Sequence, residues 1–469
     1  MGYEYDDSPV WLDVKKIINS NSDKPRYTYL AKVHTEEEDI SVVKLLNLST
    51  IRDYISANTD YMYAEMKIPF GDYALKIYPF RDNLEISIRL REVRGVNEEK
   101  YSKEETDIII YRYKAIFGKS NKVPNSDVSK FSLETLNNSD VVTVNFQLTE
   151  VAAVPIMISR IYGNHKGKTP ETLLREVLTR GTANIEIDGS PCLDSIDIYD
   201  VDNKEPIKHL VVKDGMHLVE FPRYLQESSN GVYIRGLGTY FQWYKKALRW
   251  FIYPTYDVTR FHKDTRPKLI IYSIPNNKYK SVDRTYIEDG DIISIVATAG
   301  YDYKDNNQSD ELNKGSGFKM QGAKSLMGSP VKIKPDGDIL GSRTNTTNEV
   351  VFQKRKDGLD YTRYLPTTNN PFQVYSEVIH RSKAEIYVRW EYADPTLLYP
   401  GMSCKYVFYD GEEIVEVHGN LAGCDISTVP VGQDLKETPY STTASLKIFI
   451  EPIEKLRNKP PESTTFGDF

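Results

Sequence analysis

Alternation of apolar and polar residues predicts strands at three places in the chain. Every even position is aliphatic and every odd position is polar from Leu84 to Arg91. The same alternation recurs over 142–149 and again over 386–392. A period of two residues directs one face of a strand into a core and the other into solvent. We therefore predict half-buried strands in these segments and a chain dominated by β-structure.

Turn-forming residues divide the region between 60 and 95. Two further apolar runs, 64–68 and 73–78, are separated by Pro69-Phe70-Gly71-Asp72, and Pro79-Phe80-Arg81-Asp82-Asn83 follows the second run. Proline fixes φ, glycine tolerates positive φ, and Asn and Asp bond to nearby backbone groups, so these stretches favour turns. The pattern predicts an antiparallel meander over about 60–95.

Helix signals are few. Thr169-Pro170 has a capping side chain followed by a proline suited to the first turn, and it precedes a shared apolar face made by Leu173, Leu174, Val177 and Leu178. A second helix is predicted from Pro222 to Asn230-Gly231, where the Asn-Gly pair ends it. A third is predicted after Ser49, with its inward face made by Ile51, Tyr54 and Ile55.

These signals divide the chain into regions of different character. Its 469 residues are enough for two to four domains. The pattern predicts a β-rich N-terminal domain over 1–160 and a mixed middle domain with short helices over 161–299. A flexible Gly- and Asn-rich excursion is predicted over 300–350, since long loops in compact domains are functional or disordered. A β-rich C-terminal domain over 351–455 and a tail over 456–469 complete the division.

Composition narrows the class of protein. The 60 Lys and Arg against 67 Asp and Glu give a net charge of −7, which argues against a dedicated nucleic-acid binder. Its 34 tyrosines suit strands and half-buried surfaces. No stretch approaches the ~20 consecutive apolar residues of a membrane-spanning helix. The acidic start, Met1–Asp7, lacks the apolar core of a signal peptide.

Local signatures of phosphate, dinucleotide and calcium binding are incomplete. Gly118-Lys119-Ser120 resembles the end of a phosphate-binding loop, but Tyr113 stands where the first glycine is needed. Gly236-Leu237-Gly238 lacks the third glycine of a dinucleotide fingerprint and predicts a tight turn. The segment Asp200 to Lys204 begins like a calcium loop but places Lys204 at a ligand position.

Signatures of metal binding and nucleophilic catalysis are also lacking. Cys192, Cys404 and Cys424 have no CxxC spacing, which argues against a disulfide framework or zinc site and favours a reducing compartment. Among seven dispersed histidines only His209 and His217 lie close in sequence. No HExxH or GxSxG motif occurs. We predict no catalytic, cofactor-binding or metal-binding residue, no cofactor, and no enzymatic activity.

Aromatic runs have two interpretations. The segments 240–244 and 250–256 contain tyrosine, tryptophan and phenylalanine at high density, which could stack on sugars. Aromatic residues at this density are more often buried strand and interface residues. A glycosidase would also need two carboxylates facing each other across one cleft, and sequence alone does not place them.

The order of segments resembles the baseplate hub, or tail hub, proteins of bacteriophage tails and related contractile injection machines. The early part of the chain carries the resemblance in Tyr63-Ala64-Glu65-Met66-Lys67-Ile68-Pro69 and Asp82-Asn83-Leu84-Glu85-Ile86-Ser87-Ile88. The middle part carries it in Thr172-Leu173-Leu174-Arg175-Glu176-Val177-Leu178, Gly231-Val232-Tyr233-Ile234-Arg235-Gly236-Leu237-Gly238 and Ile252-Tyr253-Pro254. The late part carries it in Leu398-Tyr399-Pro400-Gly401-Met402, which is followed by predicted strands 404–409 and 413–418.

The resemblance implies a mainly β, α+β fold in which two tail-tube-like antiparallel β-barrel regions flank a smaller mixed α/β middle region. It implies a homotrimer whose six barrels match a six-fold tube. Expected partners are the tail tube protein, the central spike and other baseplate proteins, with genome DNA passing without specific binding. The protein would be a late structural protein of the virion tail baseplate, made in the host cytoplasm. The 300–350 excursion departs from the family outline.

Two alternatives stay open beside the hub, namely a receptor-binding tail protein and a carbohydrate-active one. If copies of a hub enclose a channel, positions facing the lumen should be polar or acidic. Carboxylates repel DNA phosphates, whereas Lys and Arg gain affinity by counterion release. The net charge of −7 agrees with that expectation.

Overall fold

The protein is described by a computed structural model. It describes residues 9–19, 26–93, 108–118, 141–187, 189–228, 231–245, 247–274, 285–298, 304–305, 318–321, 331–333, 339–342, 349–352, 363–364, 384–409, 414–431 and 439–450.

Strands make up most of the described chain, which confirms the mainly β fold. They are β1 (Arg26–His34), β2 (Asp39–Ser41), β3 (Lys44–Asp53), β4 (Tyr61–Pro69), β5 (Leu84–Val93), β6 (Ile108–Phe117), β7 (Val141–Glu150), β8 (Arg160–His165), β9 (Glu186–Ile187), β10 (Ser190–Pro191), β11 (Ser195–Ile198), β12 (Leu210–His217), β13 (Leu237–Tyr244), β14 (Ala247–Pro254), β15 (Lys268–Ile274), β16 (Tyr286–Asp289), β17 (Ile292–Thr298), β18 (Lys304–Asp305), β19 (Phe318–Gln321), β20 (Val331–Ile333), β21 (Ile339–Ser342), β22 (Glu349–Phe352), β23 (Arg363–Tyr364), β24 (Ala384–Glu391), β25 (Ser403–Tyr409), β26 (Ile414–Pro430) and β27 (Tyr440–Ile450).

The helices are short. They are α1 (Pro9–Ile18), α2 (Phe70–Asp72), α3 (Ala153–Ile158), α4 (Pro170–Thr182) and α5 (Phe221–Ser228). A π-helical turn covers Tyr73–Ile77, and 3₁₀ turns cover Tyr78–Phe80, Leu218–Glu220, Val258–Arg260 and Pro395–Leu397.

Two closed rings of strands share the hairpin of β26 and β27. The first ring runs β26-β3-β4-β7-β6-β5-β1-β27 and closes because β26 pairs with β27. The second ring runs β26-β25-β15-β17-β24-β27 and closes through the same pair. All pairs of the first ring are antiparallel, but β15 is parallel to both β17 and β25. The expectation of two purely antiparallel barrels is therefore corrected for the second ring.

The two halves of strand β26 pair with strands of different rings. Ser403 to Tyr409 of β25 pair with 414–420, whereas Leu48 to Asp53 of β3 pair with 423–428. The register against β27 shifts between Leu421 and Gly423. This shift is a β-bulge at the point where β26 changes its partner from β25 to β3. The rings are thus staggered along one long hairpin.

Each ring has an apolar interior. The alternation predicted for β5 and β7 directs aliphatic and aromatic residues into the first ring, and β4 contributes in the same way. The buried residues include Met62, Ala64, Met66, Ile68, Leu84, Ile86, Ile88, Val144, Phe146 and Leu148. The second ring is filled by Leu269, Ile271, Ile293, Ile295, Val388, Trp390, Cys404, Leu446 and Ile448. Helix α1 covers the outside of the second ring by packing Val10, Val14 and Ile17 against Tyr272, Ile274, Val296 and Val407.

The middle of the chain forms a mixed region on the rings. Helices α4 and α5 confirm two of the predicted helices, and Thr169 caps α4 by accepting a hydrogen bond from the Thr172 backbone N–H at 3.4 Å. A sheet of order β11-β14-β13 buries the aromatic runs. Strands β15 to β17, which fall in the predicted middle domain, belong to the large sheet of the rings. The predicted domain boundaries stay predictions.

Two local predictions are wrong. The segment after Ser49 is strand β3, because Leu48 and Thr50 alternate inward and the strand is held between β26 and β4. The run 73–78 is helical, since Tyr73 and Ile77, four residues apart, are both buried in the first ring. The chain therefore crosses from β4 past β7 and β6 to β5, and no meander forms.

The predicted excursion over 300–350 contains short strands. Strands β19 to β22, with β23 beyond it, form a sheet of order β21-β20-β19-β22-β23, and β18 pairs with β24. The sequence did not predict these strands, because two to four residues are too few to show an alternation. The remainder of the excursion and the tail over 456–469 lie outside the described residues.

Substitution of Ile86 tests the register of the first ring. Ile86 is fully buried on β5, and an Asp there would place an unpaired carboxylate in the ring interior. We expect Ile86→Asp to lower the free energy of unfolding by on the order of 3 kcal/mol or more. Glu85→Gln, on the outer face, should change it by less than about 1 kcal/mol. Equal unfolding midpoints in urea for the two variants would contradict the register.

Substitution of Gly423 tests the point at which β26 begins to pair with β3. A Cβ at Gly423 would lie 2.4 Å from the backbone oxygen of Arg52, so β26 and β3 would have to separate. We expect Gly423→Ala to destabilise the protein by about 1–3 kcal/mol in urea unfolding. The matched control is Gly118→Ala, whose added Cβ meets its nearest atoms at an ordinary 3.5 Å. A control variant as unstable as Gly423→Ala would show that the close approach has no special role.

Candidate functional site

The outward side chains of the shared hairpin form one continuous face across both rings. Cross-strand neighbours run from Ser49 on β3 to Ser427 on β26 and Thr443 on β27. The adjacent row runs from Ile51 through Asp425 to Ser445. We call these two rows, with Tyr61 and Tyr63 on β4 and Arg389 and Glu391 on β24, the hairpin face.

The hairpin face is polar and carries little charge. Small hydroxyl side chains dominate it, and Asp425, Ser427 and Ser445 are exposed. Arg389 donates from Nη2 to Glu391 Oε1 at 3.2 Å, which neutralises both. Partial burial of its carboxyl group raises the pKa of Asp425 above its ordinary value, and Lys447 opposes that shift. The face therefore offers hydrogen bonding without a basic stripe.

The outside of the first ring is different on β1, β5 and β6. There the outward side chains include Lys32, Arg89, Arg112 and Lys114. Arg112 and Lys114 both pair with Glu85, at 2.9 Å and 2.8 Å. We call this surface the basic face. Strands β4 and β7 lie between the basic face and β3, and on its other side β1 pairs with β27.

Buried polar groups join the rings to the middle region. The Arg52 Nε–H of β3 lies 3.2 Å from both carboxylate oxygens of Asp60, and Arg52 Nη1 donates to the carbonyl of Pro395 at 3.0 Å. The Tyr240 hydroxyl donates to Asp60 Oδ1 at 3.0 Å. We call Arg52, Asp60, Glu150, Tyr240 and Asp394 the polar joint.

Asp394 links β1 of the first ring to β16, the strand that pairs with β17 of the second ring. Its Oδ2 accepts hydrogen bonds from the hydroxyls of Tyr27 on β1 at 3.0 Å and Tyr286 on β16 at 3.4 Å. Its Oδ1 accepts from the backbone N–H and the hydroxyl of Thr396, which fixes the 3₁₀ turn. Asp394 is 7 % exposed, and these donors replace the water it loses.

Glu150, at the end of β7, is a carboxylate of the joint whose pKa is raised by burial. The Trp243 indole N–H donates to Glu150 Oε2 at 2.9 Å. Burial disfavours the carboxylate and raises the pKa of Glu150 to about 7. Gln242 also joins the middle region to the rings. Its side chain accepts a hydrogen bond from the Tyr54 hydroxyl at 2.7 Å and donates one to the carbonyl of Leu398.

A glycosidase would need carboxylates facing a cleft. Asp60, Glu150 and Asp394 are instead each occupied by protein donors within the joint. The depression found along α4, lined by Glu171, Arg175 and Arg180 among others, is a shallow surface feature. The geometry of the joint is that of a structural connection.

The incomplete motifs take structural roles. Asp200 pairs with Lys204 at 2.6 Å, and Asp202 accepts from the Ile234 backbone N–H at 2.8 Å, so both carboxylates serve the loop itself. Gly236 has φ +80° and forms the predicted tight turn. Gly118 directly follows β6, whereas Lys119 and Ser120 lie outside the described residues.

His209, His217 and the three cysteines do not come together in one site. His209 precedes β12 and His217 ends it, whereas His262 and His418 contact each other edge to face with ring centroids 4.9 Å apart, which sequence spacing did not signal. Cys192, Cys404 and Cys424 are buried free thiols. Within the described ranges, no group of three or more His, Cys, Asp or Glu residues is placed to hold a metal ion.

Comparisons with solved structures identify tail proteins. A 43 kDa tail protein of prophage MuSo2 from Shewanella oneidensis is 11 % identical, with a TM-score of 0.41, covering 90 % of this chain and 96 % of its own. A tail protein from Neisseria meningitidis is 9 % identical, with the same TM-score and coverages. An Escherichia coli component of the type VI secretion system is 8 % identical, with a TM-score of 0.39, covering 88 % of this chain and 76 % of its own.

The first two of these neighbours are named as tail proteins and the third as a component of a type VI secretion system. No family model matches the sequence, and no curated protein matches it. Across the residues that the structure describes, no helix is long and apolar enough to cross a membrane.

Stability against pH tests the burial of Glu150. Its folded pKa of about 7 exceeds the unfolded value of about 4.3, so the folded state binds this proton more tightly. The contribution of this proton to the free energy of unfolding is complete below about pH 4 and is lost as pH rises through 7. Between pH 5 and 8 we expect a loss on the order of 2–3 kcal/mol. In Glu150→Gln, which stays neutral and can still accept from Trp243, this loss should disappear from thermal unfolding.

The matched control is Glu65→Gln, on the outer side of β4 in the same ring. It should keep the pH dependence of the wild type. If Glu150→Gln loses as much stability between pH 5 and 8 as the wild type, Glu150 is ionised in the folded protein.

Proposed function

We propose that this chain is a structural hub subunit of a phage-type tail or baseplate, acting through shape and performing no chemistry in that role. The observation that carries the proposal is the pair of closed rings built on one hairpin. A chain with two rings presents two ring-shaped modules to its neighbours. Three copies then present six, which is the number that the family resemblance implies for joining a six-fold tube.

The hairpin face supports an orientation for such an assembly. In the hub, this face lines the channel, and DNA slides past hydroxyl groups that offer no fixed positive charge. A lumen of this kind avoids the counterion-release affinity that a row of Lys and Arg would give. The basic face, with Lys32, Arg89, Arg112 and Lys114, then lies away from the channel.

The polar joint supports rigidity between the rings. Arg52 and Asp60 fix β3 to the turn at Pro395, and Asp394 fixes β1 to β16. These bonds are directional and buried, so a change in the angle between the rings would leave charged groups without partners. A part that connects the tail tube above to the spike below, with other baseplate proteins around it, needs this fixed geometry. The proposed location is therefore the tail baseplate of the virion.

Spin labels can test both the oligomeric state and the orientation. The three cysteines are buried, so single variants Ser427→Cys and Arg89→Cys direct a nitroxide to the hairpin face and the basic face. We expect native mass spectrometry of the chain bound to its tail tube and spike proteins to give three copies. Double electron–electron resonance should give shorter distances between labels at 427 than between labels at 89.

Each outcome bears on a separate part of the proposal. One copy or two copies in the assembled particle would exclude the three-fold hub. Three copies with labels farther apart at 427 than at 89 would keep the hub but reverse the face that lines the channel.

A further inference from the structure

Three side chains on the outside of the first ring form a hydrogen-bonded chain. His34 Nδ1 lies 2.6 Å from Asp39 Oδ1, and His34 Nε2 lies 2.7 Å from Ser87 Oγ. His34 ends β1, Asp39 begins β2, and Ser87 lies on β5. Ala31, Val33, Ile86 and Ile88 point into the ring, so His34 and Ser87 point outward.

The charges determine where the protons are. Asp39 can only accept once ionised, and the hydrogen bond from His34 lowers the pKa of Asp39, which keeps it ionised. His34 Nδ1 therefore carries a proton and donates to Asp39. In a neutral imidazole Nε2 then has a free lone pair, so Ser87 must donate its hydroxyl proton to it. This is the arrangement of a serine nucleophile with a histidine base oriented by a carboxylate.

Two cations flank the serine in the same row of the sheet. Lys32 lies directly across from Ser87 on β1, and Arg112 lies directly across from it on β6. Directly opposed side chains have Cβ atoms about 5 Å apart, within reach of a group attached to the serine. Lys32 Nζ is 3.9 Å from Asp39 Oδ2, and Arg112 pairs with Glu85 at 2.9 Å. Each of these two cations, while paired with a carboxylate, lies within reach of a negative charge developing beside Ser87.

The geometry points to a second, hydrolytic activity, in which Ser87 is the nucleophile and His34 the general base for carboxylic esters of small acyl groups. The activity is independent of the proposed hub role and departs from the expectation of no enzymatic activity. Asp39 is a positioning residue, since it acts through His34. We take small acyl groups as the substrate class, because Ser87 lies on the outward face of β5 between β1 and β6.

The reaction balances without a cofactor. Ser87 Oγ bonds to the carbonyl carbon while its proton passes to His34 Nε2 and the carbonyl electron pair moves to oxygen. Collapse of this intermediate breaks the bond to the alcohol, which takes the proton from His34. Water then bonds to the acyl carbon with His34 again accepting a proton, the acid leaves, and the proton returns to Ser87. Ester and water give acid and alcohol.

A fluorophosphonate probe tests the nucleophile directly on the full-length chain. Ser87 Oγ should bond to phosphorus as fluoride leaves, and peptide mass mapping should find the adduct at Ser87. Ser87→Ala should lose the adduct. His34→Gln should lower the labelling rate by about 100-fold or more, as expected for loss of a general base. A second readout is hydrolysis of 4-nitrophenyl acetate, with an initial burst equal to the protein concentration.

Asp39→Asn separates positioning from binding. It should lower the limiting rate of labelling at saturating probe by at least about tenfold and leave the half-saturating concentration unchanged. The matched control is Ser427→Ala, which removes an exposed serine of the hairpin face and should label like the wild type. Thermal unfolding of each variant checks that the fold is kept.

Three results would overturn the inference. They are the absence of an adduct at Ser87 in the wild type, equal labelling at Ser427 and Ser87, and an unchanged labelling rate in folded His34→Gln. None of them bears on the number of copies in the particle, so the hub proposal stands or falls separately.

Discussion

Strand β26 has to pair with two different strands along one edge, and the architecture depends on that constraint. Its first half pairs with β25 and its second half with β3, while β27 pairs along the other edge. The change of partner occurs at Gly423, where a side chain would collide with the backbone of Arg52. Because both rings are hydrogen-bonded to the same strand, their relative position is set by backbone register and not by a flexible linker. A hub that joins two modules rigidly needs a connection of this type.

The polar joint adds specificity to that connection rather than stability. Moving Arg52 and Asp60 out of water has a desolvation penalty that their mutual attraction offsets only with good geometry. Here Arg52, Asp60 and Asp394 all receive further partners from the turn at 395–397 or from tyrosine hydroxyls. An apolar joint could be as stable, but it would tolerate sliding of the middle region over the rings. The buried hydrogen bonds favour one arrangement.

The sequence predicted those elements whose pattern is local and long. Strands β5, β7 and β24 follow from strict alternation, and α4 follows from its cap and apolar face. It did not predict β3 or the helical turns at 73–80, because short apolar runs fit either period. It did not predict ring closure either, which is completed by single residue pairs such as Tyr27 with Tyr440. The polar joint could not be predicted from the sequence, because Arg52 and Pro395 are 343 residues apart.

The serine, histidine and aspartate of the first ring illustrate the same limit for chemistry. Sequence motifs for nucleophilic serines depend on a particular turn, and Ser87 lies within a plain strand 53 residues from His34. What places these side chains together is the register of β1 with β2 and with β5. A β-sheet fixes outward side chains as firmly as inward ones, because both follow from the same backbone pairing. A reactive arrangement can therefore lie on the outer surface of a ring without disturbing its interior, and β4 and β7 separate it from the part of the hairpin face on β3 that the hub proposal assigns to the channel.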